Sequence, residues 1–192
     1  RVEIVTAAGE RPLELPLAGQ HNALNAAACI AACTAIGLDV GDCIPGLEAM
    51  HPVSGRLQAR SGRAGLTIID DSYNANPGSL AAALRVLGEA PPQRWLVLGA
   101  MGELGPDAAR YHREAGEQAR ALGIERLVAV GELAGEAARA FGDGGEAVAD
   151  NAAAAALVLD GCPAGSTVLV KGSRSAAMDT VVGTLLEEGA PC

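Results

Sequence analysis

Short apolar runs alternate with amphipathic stretches through most of the 192-residue chain. From residue 66 onward, each apolar run predicts a strand and each amphipathic stretch predicts the helix that follows it. The predicted strands are 66–69, 95–98, 127–130, a weak 147–149 and 168–170, and the predicted helices are 77–87, 107–122, 132–140, 151–159 and 176–186. Because such strands need cover on both sides, the pattern predicts an α/β fold, a doubly wound, mostly parallel sheet with helices on both faces.

The first 50 residues follow a different pattern. An Ala-rich stretch predicts a helix over 22–36, which Gly37 would close as the residue after its last turn. Asp39 can cap a short helix that runs to about residue 50. Ahead of these helices, the sequence predicts two short strands around a turn at Gly9–Glu10, at 2–5 and 13–15.

The segment HPVSGR, residues 51–56, separates the two patterns. Its Pro, Gly and Ser residues are typical of a linker, and we predict the domain boundary here, between 1–52 and 53–192. Directly after it, apolar runs at 57–60 and 66–69 flank the turn sequence SGRAG and predict a β-hairpin.

Composition and charge exclude several classes of protein. At 49% hydrophobic, the chain is too apolar for intrinsic disorder, and no apolar run approaches the ~20 residues of a membrane span. A net charge of −9 disfavours a nucleic-acid partner. The five cysteines lack metal-ligand spacing, and we interpret Cys29 and Cys33, four residues apart on a predicted buried helix, as small core residues in a reducing, cytoplasmic setting. Because the chain begins at Arg1, inside a predicted strand, we expect a piece of a longer protein.

Doubly wound folds bind ligands outside the carboxyl ends of their strands. The strand at 66–69 leads into the loop DDSYNANPGS, residues 70–79. Asp70 and Asp71 place two carboxylates side by side, which repel each other, although a turn requires only one carboxylate. We therefore predict that at least one of the two binds a ribose diol or a cation. Asn76, in contrast, can simply cap the next helix, with Pro77 at the first helical position.

The last strand leads into KGSRS, residues 171–175, where Lys171 is the only lysine of the chain. Two cations, two hydroxyl groups and a glycine ahead of a helix suit a carboxylate or phosphate group. The three glycines of the loop GAMGELG, residues 99–105, indicate either a backbone that closely approaches some other group or a loop that is simply flexible. His112, on the helix that follows this loop, is more typical of a satisfied structural histidine than of a catalyst.

Four blocks of sequence together resemble the Mur ligase family, which builds the peptide of peptidoglycan precursors. They are GQHNALNA (19–26), SGRL (54–57), DDSYNANP (70–77) and KGSRSAAM (171–178). Their order and spacing agree with the family over essentially the whole chain, and the last two blocks are the most specific. The resemblance implies that residues 1–52 are the C-terminal portion of a central ATPase domain and 53–192 a Rossmann-like C-terminal domain.

The resemblance also implies which residues bind ligands. Asn22 would contact adenine, Arg56 would reach ATP, and Asp71 would hold the ribose. The full set expected near ATP is His21, Asn22, Arg56, Asp71, Tyr73, Asn74 and Asn76, and the set expected near the incoming amino substrate is Lys171, Ser173 and Arg174. No catalytic residue and no metal ligand is expected within this chain, because its sequence has no phosphate loop of the GxxGKT type.

The reaction that the resemblance implies is ATP-dependent amide formation. The likeness is closest to the members that join D-alanyl-D-alanine to UDP-N-acetylmuramoyl-tripeptide through an acyl phosphate, with ATP as substrate and Mg²⁺ held by residues outside this chain. The remaining domains of the same protein would be its partners, with no nucleic acid and no membrane insertion. The chain by itself is expected to be inactive.

Three other interpretations compete with this one. A receiver-like signalling module would also place adjacent carboxylates after an early strand and a lysine after the last, but it needs an acceptor aspartate where this chain has Gly99-Ala100 or Gly131. An NAD-dependent oxidoreductase would need a GxGxxG fingerprint, which is missing here. A purely structural domain of an inactive homologue is the third alternative.

Overall fold

The computed structural model describes residues 1–6, 9–17, 19–51 and 53–186, apart from the side chains of residues 6 and 21. The chain forms two compact units, Arg1–Val53 and Ser54–Cys192. Each unit has its own buried apolar core. Within the described residues, no helix combines the length and apolar character needed to cross a membrane.

The first unit pairs a small β-hairpin with two helices. Strands β1 (Val2–Thr6) and β2 (Gly9–Leu13) are antiparallel, with Val2 opposite Leu13. Helices α1 (Gln20–Ala35) and α2 (Val40–Glu48) follow. The core of this unit is small and consists of Ile4, Leu13, Ala26, Ile30, Val40 and Leu47. The prediction that Cys29 and Cys33 are core residues is wrong, because Cys29 is exposed and Cys33 only half-buried on α1.

Local signals in the first unit act largely as predicted. Gly37 has a φ of 93° and ends α1, where its amide donates to the Thr34 carbonyl. The Asp39 carboxylate accepts from the Gly41 amide at 2.7 Å and caps α2. The second strand was predicted too late in the chain, because Gly9 and Glu10, predicted as the turn, pair with β1 instead.

The second unit is built on one six-stranded sheet. Its strands are β3 (Gln58–Ser61), β4 (Thr67–Asp71), β5 (Arg94–Leu98), β6 (Arg126–Val130), β7 (Gly145–Val148) and β8 (Thr167–Lys171). Their order across the sheet is β3-β4-β8-β5-β6-β7; β3 is antiparallel to β4, as the predicted hairpin requires, and all other pairs are parallel. The predicted doubly wound α/β fold is confirmed.

Helices cover both faces of this sheet. They are α3 (Pro77–Gly88), α4 (Ala108–Ala121), α5 (Gly131–Phe141), α6 (Asn151–Gly161) and α7 (Asp179–Leu185). Successive strand residues alternate between the faces. On β5, Leu96 and Leu98 pack with α3, α4 and α5, whereas Trp95 and Val97 pack with α6 and α7.

The last helix begins three residues later than the sequence predicts. A single 3-10 turn occupies Arg174–Ala176, and Ala177 then has a φ of 48°, in the left-handed region. Since a right-handed helix cannot include that conformation, α7 begins only at Asp179. The delay leaves residues 172–178 as a loop at the end of β8.

Candidate functional site

The carboxyl ends of three neighbouring strands form the candidate site. Because β8 lies between β4 and β5, Asp71 is the register partner of Lys171, which in turn is the partner of Leu98. The predicted loops 70–79, 171–175 and 99–105 therefore leave the sheet side by side. This is the edge at which doubly wound folds bind ligands.

Asp71 and Lys171 form a buried ion pair across β4 and β8. The ammonium also donates to the Asn74 carbonyl at 2.9 Å, and the second carboxylate oxygen of Asp71 accepts from the Leu57 amide at 3.1 Å. Burial raises the pKa of the Asp71 carboxyl, against the opposing effects of the Lys171 ammonium and the Leu57 amide. The pair therefore connects three segments of chain; the Lys171 side chain is 2% exposed and the Asp71 side chain 12%.

The segment around Gly55 is tied to the same loop. Its carbonyl accepts from the Tyr73 amide at 3.0 Å. Gly55 has a φ of 74°, and a Cβ there would lie 3.0 Å from the Tyr73 nitrogen. Glycine is thus required both by the backbone conformation and by the close approach. This contact holds the neighbouring Arg56 beside Tyr73.

Arg56 and Arg174 both lie against the Tyr73 ring. Their guanidinium carbons are 4.4 Å and 5.5 Å from the ring centroid, within the range of cation–π attraction. Tyr73 is 44% exposed, and both arginines are exposed as well. The Arg56–Tyr73–Arg174 cluster brings together two residues expected near ATP and one expected near the amino substrate.

Asp70 points to the other face of the sheet from Asp71. Its carboxylate accepts from the Ser72 amide at 3.2 Å and from the Ser72 hydroxyl at 2.6 Å, and lies 4.0 Å from the Arg60 guanidinium. Asp70 and Asp71 are adjacent in sequence, but successive side chains of a strand point to opposite faces of the sheet, so the two carboxylates lie apart. Asp70, Ser72, Tyr73 and Arg174 contribute to the lining of a cleft of about 260 Å³ beside α7.

The two asparagines of the loop organise its backbone. Asn76 caps α3, accepting from the Ser79 amide at 2.9 Å, while the Ser79 hydroxyl accepts from the Asn76 amide at 3.1 Å. The capping role predicted for Asn76 is confirmed, with Pro77 in the first turn. The Asn74 side chain accepts from the Ala75 amide at 2.8 Å, and Asn74 itself is exposed.

The glycine-rich loop after β5 packs directly on the loop after β8. Ser173 is buried, and its amide donates to the Ala100 carbonyl at 2.9 Å. A Cβ at Gly99 would lie 2.6 Å from the Met178 sulfur, and Gly172 is equally crowded by Met178 and Ala176. These glycines therefore permit close approach between loops, the first of the two alternatives that the sequence left open.

His112 of α4 stabilises this glycine-rich loop through a hydrogen bond to its backbone. The side chain is fully buried, and its Nε2 accepts from the Met101 amide at 2.9 Å. Its Nδ1 lies 2.7 Å from the Ala108 carbonyl, so the neutral tautomer with hydrogen on Nδ1 satisfies both contacts. Burial lowers the pKa of His112, in keeping with a neutral ring. The structural role predicted for this histidine is confirmed.

The remaining predicted ATP residues belong to the first unit. Asn22 is half-buried in the first turn of α1, and its amide donates to the Gly19 carbonyl at 3.1 Å. His21 is the neighbouring residue of the same turn, and its side chain lies outside the described residues. The N-cap of α1 is Gly19, so Asn22 does not itself cap the helix.

The described part of the chain contains no site suited to a magnesium ion. No group of three or more His, Cys, Asp or Glu side chains is placed there to hold a metal ion. Asp71, the best-placed carboxylate, is already paired with Lys171. These residues do not fit Mg²⁺, and the expectation that its ligands lie elsewhere in a longer protein stays a prediction.

The fold defines an α/β domain of the doubly wound type, with a candidate ligand site at the ends of its strands. A family model described as "Mur ligase, glutamate ligase domain" matches residues 55–174. The chain belongs to the Mur ligase family, and the resemblance seen in its sequence is confirmed.

Three relatives illustrate how far the similarity extends. The UDP-N-acetylmuramoyl-tripeptide–D-alanyl-D-alanine ligase of Escherichia coli is 41% identical over 96% of this chain and 41% of its own length. The ligase of that name from Mycobacterium tuberculosis strain H37Rv is 36% identical over 92% of this chain and 40% of its own. The solved structure of MurF from Acinetobacter baumannii is 33% identical to this chain and superposes with a TM-score of 0.84. The match covers 94% of this chain and 40% of that one. The chain thus spans about 41% of the length of the Escherichia coli relative.

Proposed function

We propose that this chain is part of an ATP-dependent ligase that joins D-alanyl-D-alanine to UDP-N-acetylmuramoyl-tripeptide in the synthesis of peptidoglycan precursors. Family membership and the names of the Escherichia coli and Mycobacterium tuberculosis relatives support this proposal. The observation that carries it is the exposed Arg56–Tyr73–Arg174 cluster beside the buried Asp71–Lys171 pair. It offers fixed cations and an aromatic face where the strands end.

For ATP, we propose that the exposed members of the predicted set make the direct contacts. Arg56 supplies positive charge for the phosphates, and Tyr73 and Asn74 lie beside the ribose, on the side where Asp71 is expected to bind it. Asn76 acts through the cap of α3, which fixes the end of the loop. Asn22 and His21, in the first unit, are the proposed adenine contacts.

Asp71 has a narrower role in this proposal than a free carboxylate would have. Both of its oxygens are occupied, by the Lys171 ammonium and the Leu57 amide. A carboxylate oxygen has more than one acceptor position, so a ribose hydroxyl can still donate to it without displacing the lysine. Its first task is to hold Leu57, and with it Arg56, at the mouth of the sheet.

For the dipeptide, we propose that Arg174 binds the terminal carboxylate. It is exposed, and a guanidinium can pair with a carboxylate through two parallel hydrogen bonds. Contact with Lys171 would require its ammonium to leave Asp71 and Asn74. We therefore propose that Lys171 and the buried Ser173 position the loop that carries Arg174.

The proposed chemistry needs positioning and charge neutralisation rather than a nucleophile from this chain. The terminal carboxylate of the tripeptide attacks the γ-phosphorus of ATP, and ADP leaves. The amine of the dipeptide then attacks the carbonyl carbon of the acyl phosphate; phosphate leaves with the bonding electrons and the amine loses a proton. Cations at the strand ends would favour bound phosphate and carboxylate groups.

We further propose that residues 1–52 are the C-terminal portion of a central ATPase domain and that residues 53–192 belong to a Rossmann-like C-terminal domain, in a cytoplasmic enzyme. The sequence has no phosphate loop, so this chain alone should not ligate. In a test on the full-length protein, sustained turnover of ATP should require both the UDP-tripeptide and the dipeptide, because without the dipeptide the reaction stops at the acyl phosphate. Sustained turnover with either substrate alone, or ligation by the 192-residue chain, would contradict the proposal.

The assignment of Arg174 has its own test in the full-length protein. We expect Arg174→Ala to raise the KM for D-alanyl-D-alanine about tenfold, the loss of one charge-assisted contact, and to change the KM for ATP much less. Arg85→Ala is the matched control, because Arg85 is an exposed arginine on α3. A dipeptide KM that is unchanged in Arg174→Ala would remove this residue from the substrate site.

A further inference from the structure

The cleft beside α7 contains a carboxylate that the proposed ligase chemistry does not use. Arg174 lines this cleft from the loop after β8, and Asp179 lines it as the first residue of α7. Val182 and Gly183 of the same helix form part of its wall. Its volume of about 260 Å³ is just below the roughly 300–1,000 Å³ of sites for drug-sized ligands, so the cleft suits a smaller molecule.

Four charged side chains line this cleft, and two of them already meet each other. The Arg60 guanidinium lies 4.0 Å from the Asp70 carboxylate, and the two side chains are only 11% and 4% exposed. Arg174 and Asp179, in contrast, are both exposed, and neither has an ion-pair partner among the described residues. The cleft therefore presents one accessible cation and one accessible anion.

The turn between β8 and α7 brings these two charges to the same cleft. The 3-10 turn Arg174–Ala176 leads into the left-handed Ala177, and α7 then begins at Asp179. Met178, between them in sequence, is fully buried and anchors the segment from inside. Both charges therefore stand on one short stretch of anchored backbone.

A small zwitterion with its charges at opposite ends matches this arrangement. A guanidinium binds a carboxylate through two parallel hydrogen bonds, and a carboxylate accepts hydrogen bonds from an amino group. Two extended residues span about 7 Å, so a dipeptide is short enough for a cleft of this size. Val182 offers apolar contact for small side chains between the two charges.

We propose that Asp179 binds the amino group of D-alanyl-D-alanine while Arg174 binds its carboxylate, so that the cleft selects a dipeptide with a free amine. This assignment rests on the proposed ligase function and adds a specificity residue to it. The amino group has N–H donors both as the ammonium and as the neutral nucleophile, so Asp179 can orient it in either state. No covalent bond forms to Asp179.

Steady-state ligation by the full-length protein tests this role. Asp179→Asn should raise the KM for D-alanyl-D-alanine about tenfold and change the KM for ATP much less, because one charge-assisted contact to the dipeptide is lost. Asp179→Glu, which keeps the carboxylate, should have a smaller effect. Asp160→Asn is the matched control, since Asp160 is an exposed aspartate on α6, and it should leave both KM values unchanged.

A competing dipeptide without the amine separates the two ends of the site. N-acetyl-D-alanyl-D-alanine keeps the carboxylate, so it should compete with the dipeptide, and its inhibition constant should rise about tenfold in Arg174→Ala but stay unchanged in Asp179→Asn. No competition by this compound, equal weakening of both ligands in Asp179→Asn, or an unchanged dipeptide KM in that variant would overturn the role of Asp179 alone. Absence of ligation in the unchanged protein would overturn the ligase assignment, and this one with it.

Discussion

At the scale of single residues, burial decides what the candidate side chains can do. Lys171 is 1% exposed and its ammonium is held by Asp71 and the Asn74 carbonyl, while Arg174, three residues on, is exposed over Tyr73. A buried charge needs a partner, because transfer out of water is costly. The lysine therefore stabilises the loop, and the arginine is available to a ligand.

Removal of the lysine alone should be strongly destabilising. Lys171→Met leaves the Asp71 carboxylate buried without its partner, at an expected cost of about 3–5 kcal/mol in the free energy of unfolding by urea. The double variant Asp71→Asn, Lys171→Met should recover much of that loss. Arg113→Ala, which removes an exposed pair with Glu136, is the control and should cost less than about 1 kcal/mol. Equal losses in the two single variants would show that the buried pair has no special role.

His112 should make stability depend on pH. Its pKa in the folded protein lies below the ordinary 6.5, so the unfolded chain binds this proton more tightly. The free energy of unfolding should be highest above pH 6.5 and fall as the pH is lowered from there toward the folded pKa. Urea titrations at a series of pH values should show that the free energy of unfolding changes less with pH in His112→Gln than in the unchanged protein. The Gln amide oxygen can still accept from the Met101 amide. The same slope in both proteins would assign the dependence to other groups.

At the scale of elements, close packing sets how near the loops and helices of the second unit come to one another. Gly99 and Gly172 let the loops after β5 and β8 touch. Likewise, Gly116 of α4 lies against the backbone of Ala137 in α5. Such contacts leave no space for a methyl group, so they set how near two elements can come.

Gly116→Ala tests this packing. The added methyl group would overlap the Ala137 carbonyl, and backbone cannot move aside as a side chain can, so we expect a loss of about 1–3 kcal/mol in urea denaturation. Gly183→Ala in α7 is the matched control, since a Cβ there meets nothing within 4 Å and alanine favours helix. That variant should be neutral or slightly stabilised. A Gly116→Ala protein as stable as Gly183→Ala would show that α4 and α5 can move apart freely.

At the scale of the whole molecule, the two units differ in the size of their cores. The first unit buries six apolar side chains among its described residues, whereas both faces of the six-stranded sheet are covered by large apolar clusters. Stability rises with the apolar surface that a unit buries. The first unit should therefore open more readily than the second.

Hydrogen exchange of the 192-residue chain can measure this difference. Amides of α1 should exchange at least about tenfold faster than those of the central strands β5 and β8, because local opening costs less where the core is small. Both sets are read in one experiment, so each serves as the reference for the other. Equal protection would mean that the two units unfold as one cooperative body.

Much of the fold followed from local pattern. The alternation of apolar strands and amphipathic helices predicted the parallel strands and the five α-helices of the second unit, and the cap residues Asp39, Asn76 and Gly37 acted where they were expected. The errors were also local: the strand β2 begins earlier and α7 begins later than predicted. Pattern cannot show a left-handed alanine such as Ala177, because its cause is the surrounding packing.

The sequence by itself determined the class of fold, the family and the loops that meet at the strand ends, because hydrophobic period and short motifs are properties of neighbouring residues. Only the tertiary structure decided that β8 lies between β4 and β5, and hence that Lys171 neutralises Asp71 across 100 residues of chain. It also decided that Asp70 and Asp71 face opposite sides of the sheet, where Asp70 meets Ser72 and Asp71 meets Lys171. Strand order and burial arise from long-range pairing, which no stretch of sequence encodes alone.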